Sequence, residues 1–257
     1  MHIETTGPTL KFRNVSLACG TGTIVENLSF RISGAGLTGL FGGSGSGKSS
    51  LCRAATGLLD KDVRQRSGEI LFNGRPVGDM EETDLRRKVL YLPQKPVAFH
   101  GSVLRNLALP QICIQGERRK SRHLDAARAA CLQAGLPCDG VFLGRSAETL
   151  SVGQLQRLAI ARALVLEPQI LLFDEPTSAL DPLLTAEVGK TLTRIAGSKP
   201  VVVVTHDMRI APSCKSVLFL EKTDAAAPVL HQGTFEEIFG TETSPGYAFA
   251  HPDFHAS

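Results

Sequence analysis

The sequence predicts an α/β fold with a mainly parallel sheet in its core, an N-terminal antiparallel β layer and an inserted α-helical subdomain. Two purely apolar runs, ILLF at 170–173 and VVVV at 201–204, predict parallel strands, because continuous apolar runs are typical of sheets covered on both faces. Segments 10–17 and 24–32 are rich in β-branched and aromatic residues with partial alternation, which predicts two half-buried antiparallel strands. Beyond residue 91 the pattern becomes helical, which predicts the insertion.

Shorter signals predict further elements near the start of the chain. An apolar run at 37–42 ends in glycine and predicts a buried strand that leads into a loop, followed by a helix over 49–59. Segment 67–77 contains strand-forming residues followed by Asn73-Gly74, a dipeptide that favours a tight hairpin turn.

The second half of the chain carries signals of the same kind. Apolar residues recur at helical spacing in 121–134 and Gly135 follows them, which predicts a helix that ends there. A strand is predicted at 216–220. Thr234 and Glu237 have the T-x-x-E pattern of a capping box, which predicts the start of a short helix.

Length and composition fit one globular domain. Of the 257 residues, 42% are hydrophobic and 21% are charged, which is enough to bury a full core and excludes a disordered, collagen-like or coiled-coil chain. We expect a single domain over residues 8–242. It comprises a core of about 8–94 and 160–242 and a helical insertion of about 95–159, and a C-terminal tail at 243–257 follows it.

Charge and hydropathy exclude several classes of function. A formal net charge of +3 and 5% aromatic residues, with no tryptophan, argue against binding of nucleic acid. No stretch approaches the roughly 18 apolar residues of a membrane-spanning helix, and the first residues lack the apolar core of a secretory signal. The six cysteines show neither a C-x-x-C pair nor zinc-ligand spacing. We therefore expect a cytoplasmic protein with reduced thiols and no direct membrane insertion.

A glycine-rich segment between a predicted strand and a predicted helix carries the strongest functional signal. GGSGSGKS at 42–49 fits the pattern G-x-x-x-x-G-K-[ST]. In such a loop backbone N–H groups surround a phosphate, Lys48 adds a positive charge and the hydroxyl of Ser49 ligates Mg²⁺. A flexible Gly/Ser linker would show neither the flanking elements nor a lysine in register. The loop alone fits kinases, GTPases, helicases and transport ATPases equally well.

Two further segments carry candidate catalytic or binding groups. Asp174 and Glu175 follow an apolar strand, where Asp174 can hold the Mg²⁺ shell and Glu175 can orient and deprotonate a water. Acidic residues at a solvated strand end are the alternative. Ser151 and Gln154 in LSVGQ predict a capped helix whose N-terminus is either a second anion site or an ordinary helix start.

Taken together, these motifs resemble those of the ATP-binding cassette (ABC) ATPases. GGSGSGKS, Gln94 in YLPQKP, LSVGQ, ILLFDE, SALD at 178–181 and His206 in VVVVTHD occur in the order and spacing of that family. The resemblance covers roughly residues 10–240. It implies a P-loop NTPase core, ATP and Mg²⁺ as cofactors, and two identical or different ATPase subunits packed head to tail around two ATP molecules.

The resemblance implies a role for each matching residue. Glu175 is expected to be the catalytic base, His206 to contact the γ-phosphate and Gln94 to reach the attacking water. Asp181 is expected at the dimer interface. The expected Mg²⁺ site comprises Ser49, Gln94 and Asp174. The expected nucleotide-binding residues are Gly42, Gly43, Ser44, Gly45, Ser46, Gly47, Lys48, Ser49 and Ser50 of one subunit, with Ser151, Val152, Gly153 and Gln154 of the other.

Two positions depart from the family pattern. Val152 stands where the family usually has the first glycine of LSGGQ, and we expect ATP-dependent dimerisation to survive this change. Cys19-Gly20 occupies a position where an aromatic residue often stacks on adenine, so we expect loose discrimination between bases.

The leading functional prediction is the ATP-hydrolysing subunit of an ABC transporter. It would couple dimer closure and hydrolysis to substrate movement by separate integral-membrane permease subunits, and would lie peripherally on the inner face of the cell membrane. The region around Gln94 looks similar to that of small cassettes of phosphate importers or metal exporters. A soluble ABC ATPase of translation or DNA maintenance is the alternative. A non-hydrolysing regulatory module is opposed by Glu175 and His206.

Overall fold

The described part of the chain folds into two β-sheets and a set of α-helices. The computed structural model describes residues 7–115, 120–178, 180–223 and 227–251. Its strands are β1 (Thr9–Cys19), β2 (Gly22–Ser33), β3 (Gly36–Gly42), β4 (Val63–Phe72), β5 (Arg75–Pro76), β6 (Val89–Leu92), β7 (Ile170–Asp174), β8 (Pro200–Val204), β9 (Ser216–Glu221) and β10 (Val229–Gly233). Its α-helices are α1 (Lys48–Ala55), α2 (Glu82–Lys88), α3 (Val103–Gln115), α4 (Lys120–Gln133), α5 (Gly140–Gly144), α6 (Val152–Leu164), α7 (Pro182–Ala196), α8 (Phe235–Phe239) and α9 (Tyr247–Ala250).

The larger sheet is mainly parallel, as predicted. Its strand order is β10-β9-β3-β8-β7-β6, and the pairing is parallel except between β10 and β9 at one edge. The second sheet has the order β2-β1-β4-β5 and is antiparallel throughout. The α/β class and the antiparallel layer are therefore confirmed, as is the hairpin turn between β4 and β5.

Alternate side chains of β7 and β8 enter two different cores, which explains the continuous apolar sequence of these strands. Leu171 and Val201 pack in a cluster with side chains of α3, α4, α6 and α7. Leu172 and Val202 pack in a second cluster with α1 and the antiparallel sheet. Every residue of the two strands is buried, as expected of strands covered on both faces. A third cluster gathers aromatic side chains of α8 and α9 around Phe239.

Local hydrogen bonds fix the start of three helices. Ser151 and Gln154 form a reciprocal capping box at α6, and Thr234 and Glu237 form another at α8, both as predicted. Asp181 caps α7 by accepting hydrogen bonds from two backbone N–H groups of the first turn, and a proline takes the first helical position.

Some boundaries differ from the prediction. The helix predicted over 49–59 ends at Ala55, because the chain enters a left-handed turn at Gly57 (φ +63) and the N–H of Leu58 returns to the carbonyl of Arg53. Strand β4 begins earlier than predicted, at Val63, since its pairing with β1 extends to that residue. The sequence-based assignment omits β6 and α7, and β6 has only four residues.

Helices α3 to α6 lie between β6 and β7 in the chain, in the region of the predicted insertion. The helix predicted over 121–134 is α4, and Gly135 follows its end in a left-handed conformation (φ +70). In the predicted C-terminal tail, α9 packs against the aromatic cluster, and residues 252–257 lie outside the described ranges. Across the described residues, no helix combines the length and apolarity that crossing a membrane requires.

We expect Gly68→Ala to destabilise the protein far more than Gly74→Ala. The two glycines have nearly the same φ, +80 and +81, so alanine meets a similar backbone strain of about 1–2 kcal/mol at each. A Cβ at Gly68 would lie 2.3 Å from the carbonyl oxygens of Arg13 and Asn14, whereas at Gly74 nothing lies within 4 Å.

The expected losses in the free energy of unfolding are about 3 kcal/mol for Gly68→Ala and about 1 kcal/mol for Gly74→Ala. Denaturant titration measures both. Equal losses would show that the close approach of β1 to Gly68 does not constrain the antiparallel sheet.

Candidate nucleotide-binding site

The glycine-rich loop joins the end of β3 to the start of α1, as the sequence predicts. Lys48 is 7% exposed, and its Nζ donates to the carbonyl oxygens of Gly42 at 2.9 Å and Gly43 at 2.7 Å. Burial lowers the pKa of Lys48, while the nearby charges of Glu175 and Asp174 act in the opposite direction. The loop thus holds a buried cation beside the N-terminus of a helix, and no side chain caps that helix. Such an arrangement attracts an anion.

Asp174 connects the loop to the neighbouring strands of the sheet. Its side chain lies at the end of β7 and is 5% exposed. The hydroxyl of Ser49 donates to its Oδ1 at 2.8 Å, and the hydroxyl of Tyr91 donates to its Oδ2 at 2.6 Å. The structure therefore brings Ser49 and Asp174 together although they lie 125 positions apart in the sequence.

Sequence reasoning missed Tyr91. The tyrosine lies in β6, between Leu90 and Leu92. A tyrosine hydroxyl inside an apolar strand usually finds a hydrogen-bond partner. Had β6 been predicted as the neighbour of the strand that ends in Asp174, Tyr91 would have been a candidate hydrogen-bond donor to that aspartate.

Glu175 and His206 are in contact just beyond the ends of two adjacent parallel strands. Nδ1 of His206 lies 2.8 Å from Oε2 of Glu175. The backbone of Glu175 is left-handed (φ +48), and its N–H donates to the carbonyl oxygen of Val204 at 2.8 Å. The carboxylate is largely shielded, with 18% of the side chain exposed, whereas the imidazole is 65% exposed. A carboxylate held in this way is suited to accept a proton from a water molecule.

Gln94 is linked to the same region through a serine. Its side-chain amide donates to the hydroxyl of Ser178 at 3.0 Å, and this hydroxyl donates to the carbonyl oxygen of Glu175 at 3.2 Å. Ser178 belongs to the SALD motif, of which Ala179 lies outside the described residues. The role of Gln94 as a Mg²⁺ ligand stays a prediction.

The signature segment forms a separate anion-binding candidate at the start of α6. Ser151 and Val152 are exposed there, Val152 to 54%, while Gly153 is buried against Leu184 of α7. Helix α6 packs on α3, α4 and β6, whereas α1 packs on β3, β4, β6 and β7. The two candidate phosphate sites therefore lie on helices whose neighbours differ, apart from β6, which both helices contact. Asp181, the helix cap of α7, is exposed.

The available oxygen donors fit a magnesium ion. A hydroxyl from Ser49 and a carboxylate from Asp174 are the hard oxygen ligands that Mg²⁺ prefers, and Mg²⁺ takes further ligands from water and substrate phosphates. No group of three or more His, Cys, Asp or Glu side chains that could cage a metal occurs among the described residues.

Asp207 holds the loop that carries His206. Its carboxylate accepts two hydrogen bonds from the guanidinium of Arg209, at 2.8 and 2.7 Å, and its backbone N–H donates to Thr205 Oγ1 at 2.9 Å. The side-chain hydrogen bonds of Arg209 lower the pKa of Asp207 against the opposing effect of burial.

We expect Asp207→Asn to lower the free energy of unfolding by about 1 kcal/mol at neutral pH, because a charge-assisted hydrogen bond is weakened. The pKa of Asp207 is lowered in the folded state. The contribution of Asp207 to the free energy of unfolding is therefore present above the unfolded-state pKa of about 3.9. It is lost as the pH falls through the pKa of the folded state. Denaturant titrations across pH should show the two proteins converging in acid. The exposed Asp62→Asn serves as control, and a pH-independent difference would contradict this account.

Comparisons with known proteins identify the family of the chain. Residues 25–178, more than half of the chain, match the sequence model of the ABC transporter family. Phosphate import ATP-binding protein PstB 1 of Nitrosococcus oceani is 37% identical over 238 residues, which cover 90% of this chain and 85% of that protein. PstB of Shewanella denitrificans is 37% identical over 215 residues, which cover 82% of this chain and 78% of that protein.

A solved structure shows the same fold over almost its whole length. It is cbiO1 from Clostridium perfringens, described as part of the ABC transporter complex cbiONQ, with 26% identity, a TM-score of 0.78 and 91% of each chain covered. None of these matches supports the alternative role in translation or DNA maintenance. The chain belongs to the ABC transporter family, as an ATP-binding subunit with ATPase activity.

Proposed function

We propose that the chain hydrolyses Mg²⁺-ATP at a site completed by a second ATPase subunit, and that closure of the pair drives separate membrane subunits. One observation carries the proposal: the Glu175–His206 pair stands directly beside Asp174, which is bonded to Ser49 at the phosphate loop. The candidate phosphate-binding, metal-binding and proton-accepting groups thus meet at one edge of the sheet.

Lys48 supports phosphate binding by the loop from Gly42 to Ser50. Its ammonium is buried and bonded to neutral carbonyl groups of the loop itself. A buried cation gains more from an anionic partner than from carbonyl groups. The β- and γ-phosphates of ATP would therefore draw the ammonium away from the loop carbonyls. Cys19, exposed at the end of β1, would give the adenine no aromatic stack.

Ser49 and Asp174 would hold Mg²⁺, together with Gln94 once nucleotide is bound. Bound there, the ion would neutralise charge on the phosphates. The carboxylate of Glu175 would orient an attacking water and accept its proton. His206 keeps that carboxylate in place, and its exposed ring is free to face the γ-phosphate.

The signature segment would bind the nucleotide held by a second subunit, whether identical or different. The N-terminus of α6 is the positive end of a helix dipole. Ser151 caps this end, and Val152 and Gly153 are the first two residues of the helix. Exposed apolar side chains at Val152 and at Leu183, which is 73% exposed next to Asp181, favour burial against another chain. Val152 takes the first helical position after the Ser151 cap, which supports a signature loop that tolerates its side chain.

An apolar groove beside Gln94 supports docking of a permease subunit. The groove has a volume of about 520 Å³ and is lined mainly by apolar residues, including Leu90, Pro96, Val97, Phe99 and Leu109. Residues on either side of Gln94 contribute to its wall. Since Gln94 is bonded through Ser178 to the backbone of Glu175, an occupant of the groove would be coupled to the catalytic region. The chain would then lie peripherally on the inner face of the membrane.

The membrane subunit would select the transported substrate. The two PstB relatives are named for phosphate import, so inorganic phosphate is the first substrate to test.

We expect Glu175→Gln to reduce steady-state ATP hydrolysis by at least about a hundredfold, because the amide cannot accept the proton of the attacking water. With hydrolysis blocked, a dimer should accumulate in the presence of ATP and be visible by size-exclusion chromatography. The matched control is Glu69→Gln, which alters a glutamate of the antiparallel sheet that lies 3.5 Å from Arg13.

The control should hydrolyse ATP like the wild type. Wild-type turnover in Glu175→Gln would remove Glu175 from catalysis. Absence of an ATP-dependent dimer in both wild type and Glu175→Gln would contradict the role proposed for the signature segment.

We expect Val97→Asp to weaken association with the permease, because docking of the permease in the groove would bury the new carboxylate. Val97 is 54% exposed in the free subunit. Co-expression of each variant with candidate permease genes, followed by affinity purification, should recover at least about tenfold less complex for Val97→Asp than for the wild type. Leu132→Asp, at a 60% exposed position of α4 outside the groove, is the control and should behave like the wild type. Equal recovery of both variants would place the docking surface elsewhere.

A further inference from the structure

The second hydrogen bond to Asp174 comes from a residue that belongs to none of the motifs. Tyr91 lies in β6, which pairs with β7, and its hydroxyl donates to Oδ2 at 2.6 Å while Ser49 donates to Oδ1 at 2.8 Å. Each carboxylate oxygen of this buried aspartate therefore has its own donor. With a single donor the carboxylate could rotate about its terminal bond, whereas two donors from different elements fix its plane.

A cation lies behind this tyrosine. Nε of Arg53 donates to the phenol oxygen of Tyr91 at 3.3 Å, and the guanidinium also pairs with Asp60. The phenol oxygen of Tyr91 accepts the hydrogen bond from Arg53 with one lone pair. The phenol proton therefore remains directed at Asp174. The bond from Arg53 also polarises the phenol and strengthens it as a donor.

Helix α1 thus contacts Asp174 by two routes. Ser49 and Arg53 are four residues apart, so they share one face of the helix. Ser49 reaches Asp174 directly, and Arg53 reaches it through Tyr91. The helix that begins at the phosphate loop and the carboxylate at the end of β7 are consequently held in one fixed relation.

We propose that Tyr91 is a positioning residue for the Mg²⁺ site. It holds the carboxylate of Asp174 in the orientation that meets the coordination shell of the ion. The inference rests on the proposed function. Groups that orient a metal-binding side chain typically contribute about 10–100-fold to metal affinity or activity.

The variant Tyr91→Phe isolates the hydroxyl. The side chain of Tyr91 packs against the hydrophobic cluster of α1 and the antiparallel sheet, and phenylalanine keeps this packing. The matched control is Tyr247→Phe, because Tyr247 is the other tyrosine of the chain and stacks on His251. Thermal melts establish that both variants are folded.

The first readout is equilibrium binding of Mn²⁺, which accepts the same oxygen ligands as Mg²⁺. Electron paramagnetic resonance titration in the presence of a non-hydrolysable ATP analogue should give a Kd for Mn²⁺ about tenfold higher in Tyr91→Phe. The Kd should not change in Tyr247→Phe. Binding of the analogue in EDTA should be the same in all three proteins, since the phosphate loop is untouched.

The second readout is ATP hydrolysis as a function of free Mg²⁺. Tyr91→Phe should need about tenfold more Mg²⁺ for half-maximal activity, while its KM for ATP at saturating Mg²⁺ should stay within about twofold of the wild-type value. A purely structural role would change stability without this selective effect on the metal. If Tyr91→Phe does not fold, Arg53→Leu removes the hydrogen bond that supports the hydroxyl of Tyr91 and should also weaken Mn²⁺ binding.

Wild-type Mn²⁺ affinity in the folded variant overturns the inference. Where the wild type hydrolyses ATP and requires Glu175, such a result would leave the proposed function intact. If the wild type neither binds the analogue nor hydrolyses ATP, the proposed function itself fails.

Discussion

The central strands of the larger sheet run parallel, so their carboxyl ends meet at one edge, and every group of the candidate site depends on this arrangement. Strand β3 leads into the phosphate loop, β7 ends at Asp174, β8 leads to His206 and β6 leads to Gln94. Ligands of open α/β sheets commonly bind outside the carboxyl ends of the strands. Here the order β3-β8-β7-β6 places four different chemical functions side by side, although they are far apart in the chain.

The same edge contains charged groups that are buried and hydrogen-bonded. Lys48 and Asp174 are almost inaccessible to solvent, and each makes at least two hydrogen bonds with groups of the protein. Burying a charge is costly, and these hydrogen bonds offset part of the desolvation. The hydrogen bonds also fix side-chain directions before a ligand arrives. Such preorganisation is what a site for phosphate and metal requires, because reorientation then costs little during the reaction.

The sequence indicated most of the fold for reasons that the core makes clear. Residues 170–173 and 201–204 had to be apolar at every position, since alternate side chains enter two different hydrophobic clusters. Strand β6 escaped prediction because four residues give too little pattern, and with it the interpretation missed Tyr91. The end of α1 depended on a left-handed turn at Gly57, and the apolar residues beyond this turn made the predicted helix too long.

The sequence by itself determined the features that rest on neighbouring residues: the phosphate loop, the capping box of Ser151 and Gln154, and the family to which these motifs belong. Their hydrogen bonds span three to six positions, so a local pattern is enough to specify them. Only the tertiary structure decided which carboxylate oxygen of Asp174 meets Ser49 and which meets Tyr91, 125 and 83 positions away. Contacts at that separation depend on strand order and register, which local periodicity does not encode.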